Sequence, residues 1–286
     1  MNYHLTINGQ SVPGASTFDV INPADKSVLA AAPKASVEQL NNAVAAAKAA
    51  FPAWSALSYE QRREKLMALA DAIEAAGGEL MQSLTQEQGK PMKGFADMGS
   101  GFEFGTLAWM RATASYDLPP EVIQDNDTAR IELHRKPLGV VGSITPWNYP
   151  LLITVWHVIP ALLTGNTVVV KPSEMTPLTV LRFGEIAKDI LPPGVLNVVA
   201  GDGEIGAAIS SHPDISKIVF TGSTPTGKAI MHSAADNLKR LTLELGGNDA
   251  GIVLADADIE AIAPKIFATA FINNGQTCAA LKRLYV

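Results

Sequence analysis

Cysteine is almost absent from this chain of 286 residues, because Cys278 is the only one. A lone thiol cannot form a disulfide within the chain, so it is either a small buried hydrophobe, which is the commoner outcome, or a nucleophile. One cysteine in so long a chain is typical of a reducing compartment, and we expect a cytoplasmic protein. Histidine is also sparse, with five residues, and none of them forms an obvious motif with Cys278.

An excess of basic charge is missing as well. The chain carries 22 basic and 28 acidic residues, a net charge of −6, which argues against nucleic acid or an anionic membrane as the main partner. Residues 1–9 lack the basic and apolar regions of a signal peptide. The apolar stretch 151–170 is interrupted by His157, Pro160 and Gly165, so it predicts a buried helix followed by a strand rather than a membrane span. We expect no bound metal.

The first half of the chain predicts short strands followed by helices. Strands are expected within residues 3–21. Helices are expected over 36–50, from the capping box at 58–61 to residue 77, from there to Gly89, and over 95–115. The polar segment 119–137 contains a strand-like alternation at 128–135. It is either an arm that pairs outside its own domain or an ordinary edge hairpin.

Short apolar strands alternate with helices from residue 139 onward. Strands are predicted at 139–144, 167–170, 196–199, 217–220, 241–245 and 251–254, and helices at 151–163, 177–190, 205–211, 226–235 and 259–271. Nearly continuous apolar strands separated by helices predict an α/β fold, with a Rossmann-like parallel sheet that has helices on both faces.

Three of the predicted strands end in segments that suit a nucleotide. The segment 201–206 matches G-x-G-x-x-G between a strand and a helix, which indicates either a dinucleotide fingerprint or only a tight turn. The turn 220–227 places glycine and hydroxyl groups at a helix start, which suits a phosphate or a simple cap. Lys171 and Glu174 follow another strand, where they can contact a ribose or form a solvated loop.

Two further segments suit catalysis. Asn148 lies in a rigid turn between Pro146 and Pro150, and an amide fixed in this way can donate to an oxyanion. Glu244 precedes a pair of glycines and is either a general base or a structural carboxylate. Glycine and amide side chains directly before Cys278 predict an irregular turn that something approaches closely.

Five of these segments, taken in order, resemble the successive signatures of the aldehyde dehydrogenase superfamily. They are residues 146–150, 171–174, 222–227, 244–247 and 275–278. The resemblance implies that Cys278 is the nucleophile, that Glu244 activates the deacylating water, and that Asn148 helps to form the oxyanion hole. It also implies a set of cofactor-binding residues, namely Trp147, Lys171, Ser173, Glu174, Gly203, Gly222, Ser223 and Leu245.

The resemblance further implies the ligands. The cofactor is expected to be NAD, because Glu174 disfavours a 2′-phosphate. NADP stays possible, because Lys171 and Ser173 could tolerate that phosphate. The substrate is expected to be a small-molecule aldehyde, and Tyr149, Leu152 and Trp156 suggest an apolar substrate pocket. No arginine lies between residues 147 and 181, which disfavours a substrate with a distal carboxylate.

The resemblance finally predicts the domain organisation. Residues 1–118 and 138–246 would form a dinucleotide-binding domain, 119–137 part of an oligomerisation arm, and 247–286 the start of a catalytic domain that is incomplete here. The full-length protein would be a homodimer or homotetramer. Because family members continue well past residue 286, a second hypothesis is an inactive fragment that binds nucleotide or assembles. A third hypothesis is a thiol hydrolase that needs no nicotinamide.

Overall fold

The computed structural model describes residues 2–92, 103 and 105–286. Most of the first half of the predicted helix 95–115, residues 95–102 and 104, lies outside the described residues, and its second half is the helix Thr106–Ala114. The strands of the described part are β1 Leu5–Ile7, β2 Gln10–Val12, β3 Ser16–Ile21, β4 Val28–Lys34, β5 Glu121–Asp125, β6 Arg130–Leu133, β7 Val140–Ile144, β8 Thr167–Lys171, β9 Leu196–Val198, β10 Ile215–Thr221, β11 Arg240–Glu244, β12 Asp249–Ile252 and β13 Leu281–Tyr285.

Most of the described helices begin and end close to their predicted bounds, whereas the first continues past the predicted end at residue 50 to Ser55. The described helices are Val37–Ser55, Tyr59–Ala75, Gly77–Gln88, Thr106–Ala114, Pro150–Leu163, Leu178–Ala187, Gly203–Ser211, Thr224–Ala235 and Ile259–Ala270. Capping boxes at Ser36 and Ser58 start the first two, with the N3 glutamine returning a bond to the cap backbone in each case. Gly89, with φ of 84°, ends the third in the left-handed conformation that glycine adopts at least cost.

A seven-stranded sheet forms the centre, in the order β11-β10-β7-β8-β9-β1-β2. The strands from β11 to β9 are parallel, and β1 and β2 extend the β9 edge in antiparallel fashion. Val168, Val169 and Val170 in the middle strand are fully buried, because helices cover both faces. The predicted α/β class with a parallel sheet is confirmed, and the antiparallel edge is an addition to it.

Three small sheets lie outside the central one. β3 pairs with β4, β5 with β6 in an exposed hairpin, and β12 with β13 in parallel. The strands β4 and β13 were not predicted from the sequence. The alanine-rich β4 has little β propensity of its own, and it forms because β3 supplies a partner.

The segment after β11 is much less buried than the rest. No residue of the helix Ile259–Ala270 is buried, and Ile252, Leu254 and Phe271 are exposed. The domain boundary at 246–247 stays a prediction, although the strands on either side of it belong to different sheets. Among the described residues no helix is both long and apolar enough to cross a bilayer, and no group of three or more acidic, histidine or cysteine side chains is arranged to hold a metal ion.

Candidate active site

A cleft of about 740 Å³ lies where the parallel strands of the central sheet end. Loops after β7, β8, β10 and β11 line it, together with the segment after the last helix. Ligands of open parallel sheets bind at this edge, because helix N-termini and loop side chains converge there. Most of the predicted site residues line it, namely Trp147, Asn148, Tyr149, Lys171, Ser173, Glu174, Gly203, Gly222, Ser223, Leu245 and Cys278.

Three predicted residues lie outside the lining of this cleft. Glu244 is exposed at the end of β11, directly before Leu245 and Gly246, which do line it. Leu152 lies in the first turn of the helix Pro150–Leu163. The ring of Trp156, which is 43% exposed, packs at 6.0 Å from that of Trp109. The structure therefore groups Tyr149 alone, of the three predicted pocket residues, with Cys278.

An unusual backbone brings Cys278 into the cleft. After the helix Ile259–Ala270, Asn273, Asn274 and Gly275 adopt φ of 51°, 58° and 79° in succession. Asparagine and glycine are the residues that tolerate this left-handed conformation best, which is the reason for the composition of this turn. The irregular turn predicted from these residues is present, and Cys278 after it is an exposed free thiol.

The turn that carries Asn148 is bonded directly to the cysteine loop. Asn148 Nδ2 donates to the Gln276 carbonyl at 2.8 Å, and Asn273 Nδ2 donates back to the Asn148 carbonyl at 2.9 Å. The Tyr149 hydroxyl lies 3.0 Å from Thr277 Oγ1, one residue before the cysteine. Burial raises the pKa of Tyr149, and its bond to Thr277 counteracts the shift. These bonds hold the amide and the thiol on one rigid wall.

Two buried charges that the sequence did not single out lie behind this wall. Lys90 and Glu103 are 1% and 0% exposed and form an ion pair. Burial lowers the pKa of Lys90 and raises that of Glu103, and the opposite charge of the partner counteracts each shift. The only sequence signal was the position of Lys90 between a helix-ending glycine and a proline.

A second lysine holds the cysteine loop from the other side. Lys282 Nζ donates to the carbonyls of Gly247, Thr277 and Cys278 at 3.1, 2.9 and 2.8 Å. A Cβ built on Gly247 would lie 2.8 Å from the Cys278 carbonyl oxygen, so only glycine allows this approach. This contact explains the second of the two glycines after Glu244, whereas a Cβ built on Gly246 would meet no atom within 4 Å.

Lys171 and Glu174 form a charged pair that also lines the cleft. Lys171 is buried, its Nζ lies 3.6 Å from Glu174 Oε2, and it donates to the Pro172 carbonyl at 2.9 Å. Burial lowers the pKa of Lys171, and the Glu174 carboxylate counteracts this. The Glu174 side chain is half exposed, so a ligand can reach its oxygens.

The segment after β10 forms a helix cap. Ser223 Oγ accepts from the Thr226 backbone N–H at 3.3 Å and starts the helix Thr224–Ala235. A Cβ on Gly222 would lie 2.5 Å from the Phe220 ring, so a larger residue there would displace that ring. The cap that the sequence left as one alternative is therefore present, and it lies in the wall of the cleft.

His157 is the most deeply buried histidine of the described chain, and it does not contact the cysteine. Its Nδ1 lies 2.9 Å from Ser143 Oγ and its Nε2 3.1 Å from Thr221 Oγ1. Burial lowers the pKa of His157 to about 3, so the ring is neutral and links β7 to β10.

Comparison with known proteins shows the family of the chain. The model of the "Aldehyde dehydrogenase family" matches residues 11–286. This chain belongs to the aldehyde dehydrogenase family. A phenylacetaldehyde dehydrogenase from Pseudomonas fluorescens is 42% identical over 300 residues, covering 99% of this chain and 59% of the relative. A 2-hydroxymuconic semialdehyde dehydrogenase from Pseudomonas sp. (strain CF600) is 41% identical over 292 residues, covering 98% and 60%.

Solved structures of the aldehyde dehydrogenase family have the same fold. That of an aldehyde dehydrogenase from Bacillus cereus, an NAD+ complex, is 38% identical with a TM-score of 0.94, covering 99% of this chain and 59% of the other. The chain thus spans about 60% of the length of the aldehyde dehydrogenases that it matches.

Proposed function

We propose that this chain carries the nucleophile and the cofactor site of an enzyme that oxidises an aldehyde to a carboxylic acid with NAD. The strongest support is that three kinds of group line one cleft. They are the exposed thiol of Cys278, the amide of Asn148, and the charged pair of Lys171 and Glu174, which suits the hydroxyls of a ribose. Such convergence from separate loops is typical of a catalytic site.

The donor set of the cleft fits a dinucleotide. Lys171 and Glu174 would hold the adenosine ribose hydroxyls, and the helix start capped by Ser223 would meet the pyrophosphate. Gly203 leaves open space in the wall, because a Cβ built on it meets no atom within 4 Å. When bound, the nicotinamide accepts the hydride that the aldehyde carbon loses. We propose NAD as the preferred cofactor, since Glu174 would repel a 2′-phosphate.

The chain's own residues would carry the acyl chemistry. The Cys278 thiolate would add to the aldehyde carbon and form a thiohemiacetal. Its oxyanion would be held by Asn148 Nδ2 and the Cys278 backbone N–H. The bond to Gln276 uses one of the two amide hydrogens of Asn148 and leaves one for the substrate. One such donor is typically worth about 10²–10³ in rate.

Release of the acid would need a base at the same cleft. We assign this role to Glu244, which would take a proton from the water that attacks the Cys278 thioester. Its exposure leaves the side chain free to turn, and Leu245 and Gly246 beside it line the cleft. The new C–O bond forms as the C–S bond breaks, and the thiolate is regenerated.

For the substrate we propose only a class, a small aldehyde that packs against Tyr149. The names of the two curated relatives describe an aromatic aldehyde and an acidic semialdehyde, so the family does not decide between them. Leu152 and Trp156 stay candidate pocket residues, although they do not line the cleft. A single free thiol fits a reducing compartment such as the cytoplasm.

Assembly is proposed through the β5–β6 hairpin. It exposes Val122, Ile123, Ile131 and Leu133, and among the described strands β5 and β6 pair only with each other. An exposed apolar hairpin of this kind is suited to pair with another subunit. We therefore keep a homodimer or homotetramer as the proposed state of the full-length protein.

The test is NADH formation at 340 nm by this chain with NAD and a panel of aldehydes, beside the Cys278→Ala variant. The proposal expects turnover that the variant lacks. Titration calorimetry with NAD is the control, since the variant should bind the cofactor as the wild type does. Equal turnover by both proteins would refute the assigned mechanism.

A second candidate is a domain that binds nucleotide or assembles without turnover. Two observations favour it: no residue of the helix Ile259–Ala270 is buried, and the chain covers about 60% of the length of its relatives. NAD binding by calorimetry, with no NADH formed by either protein, would support this candidate instead. The thiol hydrolase has no observation in its favour, because His157 bonds to Ser143 and Thr221.

A further inference from the structure

The buried ion pair of Lys90 and Glu103 touches the backbone that carries the proposed oxyanion amide. Lys90 Nζ donates to the Asn148 carbonyl oxygen at 2.8 Å and lies 4.2 Å from the centre of the Tyr149 ring. The Asn148 carbonyl also accepts from Asn273 at 2.9 Å, so two donors from different parts of the chain fix one peptide plane.

Glu103 fixes the other side of the same turn. Its Oε1 accepts from the backbone N–H groups of Leu151 and Leu152 at 2.8 and 3.1 Å. These are the first free donors of the helix Pro150–Leu163, because proline at its first position has no N–H. A carboxylate at a helix N-terminus is also favoured by the helix dipole.

The ion pair therefore forms hydrogen bonds to both ends of the segment 148–152. The position of a side chain depends on the position of its own backbone, and catalytic donors must be held within fractions of an ångström. The bond from Asn148 Nδ2 to the Gln276 carbonyl requires this turn to stay in register with the cysteine loop.

We propose that Lys90 and Glu103 are positioning residues that keep the Asn148 amide aimed at the oxyanion formed on Cys278. This inference rests on the oxyanion role proposed above for Asn148. The inference gives the buried ion pair a role in positioning the amide. Buried ion pairs contribute little net free energy to stability, so stability alone does not account for this one.

The lone cysteine allows a direct test on the 286-residue chain, because every thiol reaction reports Cys278. With 4-nitrophenyl acetate, the new S–C bond forms through a tetrahedral oxyanion, and nitrophenolate then leaves. With iodoacetamide, an S–C bond forms as iodide leaves, and no oxyanion arises. The ratio of the acylation rate to the alkylation rate therefore isolates oxyanion stabilisation. Cys278→Ala supplies the blank for reaction at other groups.

The main variant is the double substitution Lys90→Met with Glu103→Gln, which leaves no unpaired buried charge. Its glutamine oxygen can still accept from the helix start, whereas the donor to the Asn148 carbonyl is lost. The matched control is Glu87→Gln. Glu87 is a buried carboxylate that caps the helix Leu178–Ala187 in the same way, and that helix contributes no residue to the cleft.

The expected ratio falls about tenfold in the double variant, is unchanged in Glu87→Gln, and falls by about 10²–10³ in Asn148→Ala. Adding the double substitution to Asn148→Ala should lower the ratio by less than twofold further, because the pair acts through that amide. Melting temperatures identify variants that lose structure, and the ratio is interpreted only for variants that stay folded.

Three results would overturn the inference: an unchanged ratio in the folded double variant, an equal fall in the Asn148→Ala background, or a wild-type chain that acylates no faster than Asn148→Ala. A pair that contributes only to stability would lower the melting temperature and leave the ratio of the folded variant unchanged, which is the first of these results. Failure of the proposed function is read separately, from the absence of NADH formation with aldehydes.

Discussion

The stability of this protein should fall as the pH rises from 4.5 to about 7, because of the buried carboxyl group of Glu87. Its carboxylate is 3% exposed and accepts from the backbone N–H groups of Leu178 and Thr179 at 2.7 and 3.0 Å. Burial raises its pKa from 4.5 to about 7, and the hydrogen bonds from Thr179 and Leu178 counteract only part of this. The carboxyl group is therefore protonated in the folded chain under conditions in which the unfolded chain has released the proton.

The sign follows from the protons that each state binds. Below pH 4.5 both states are protonated and the contribution is complete. Between pH 4.5 and about 7 the folded state binds more protons, so the free energy of unfolding falls as the pH rises. The separation of the two pKa values corresponds to about 3 kcal/mol. In Glu87→Gln the side chain keeps an acceptor oxygen and does not titrate.

The assay is urea unfolding of the wild type and Glu87→Gln at several pH values from 4.5 to 7.5. The unfolding free energy of the wild type minus that of Glu87→Gln should fall by about 3 kcal/mol from the lowest to the highest pH. This corresponds to roughly 1 M in the urea midpoint. His157→Gln is the control. Burial lowers the pKa of His157 to about 3, so its difference curve must slope the other way, with the wild type losing stability as the pH falls below 6.5. Parallel curves for wild type and Glu87→Gln would refute the reasoning.

Three further predictions concern the cofactor and assembly. Gly203→Ala should leave the melting temperature unchanged or higher, since the added methyl meets no atom and alanine favours a helix by up to about 1 kcal/mol; calorimetry should show NAD binding weakened severalfold, and unchanged binding would remove Gly203 from the cofactor site. Glu174→Gln should raise the ratio of NADP to NAD affinity about tenfold, or roughly 1.4 kcal/mol of relieved repulsion, and an unaltered ratio would contradict the assigned ribose contact. Ile123→Lys on the β5–β6 hairpin should shift a full-length assembly toward monomer in analytical ultracentrifugation, whereas retained assembly would place the interface elsewhere.

Much of the architecture was predictable because the signals are local. The capping boxes at Ser36 and Ser58 depend on residues three apart, and both form. The apolar runs at 139–144 and 167–170 predict buried parallel strands, and the strands β7 and β8 are present there in the central sheet. The predicted site residues near Cys278 follow strands whose carboxyl ends meet at one edge, so their convergence follows from topology.

The strands that escaped prediction lacked such a local signal. β4 is alanine-rich and acquires its conformation from β3, and β13 pairs with β12 from some thirty residues away along the chain. Strand pairing depends on a partner that the sequence pattern does not identify. The exposure of Trp156 could not be predicted from the sequence either, because it depends on packing against Trp109.

Local sequence was enough to predict most of the helices and the strands of the central sheet, the irregular turn before Cys278 and the groups that can do chemistry, since these depend on each residue and its near neighbours. Which charges are buried, and which groups they contact, depends on the three-dimensional packing. Lys90 and Glu103 lie 58 and 48 residues before the groups that they contact in the turn that carries Asn148. A buried polar group needs partners to offset its lost hydration, and in this protein those partners are supplied by the fold rather than by neighbours in sequence.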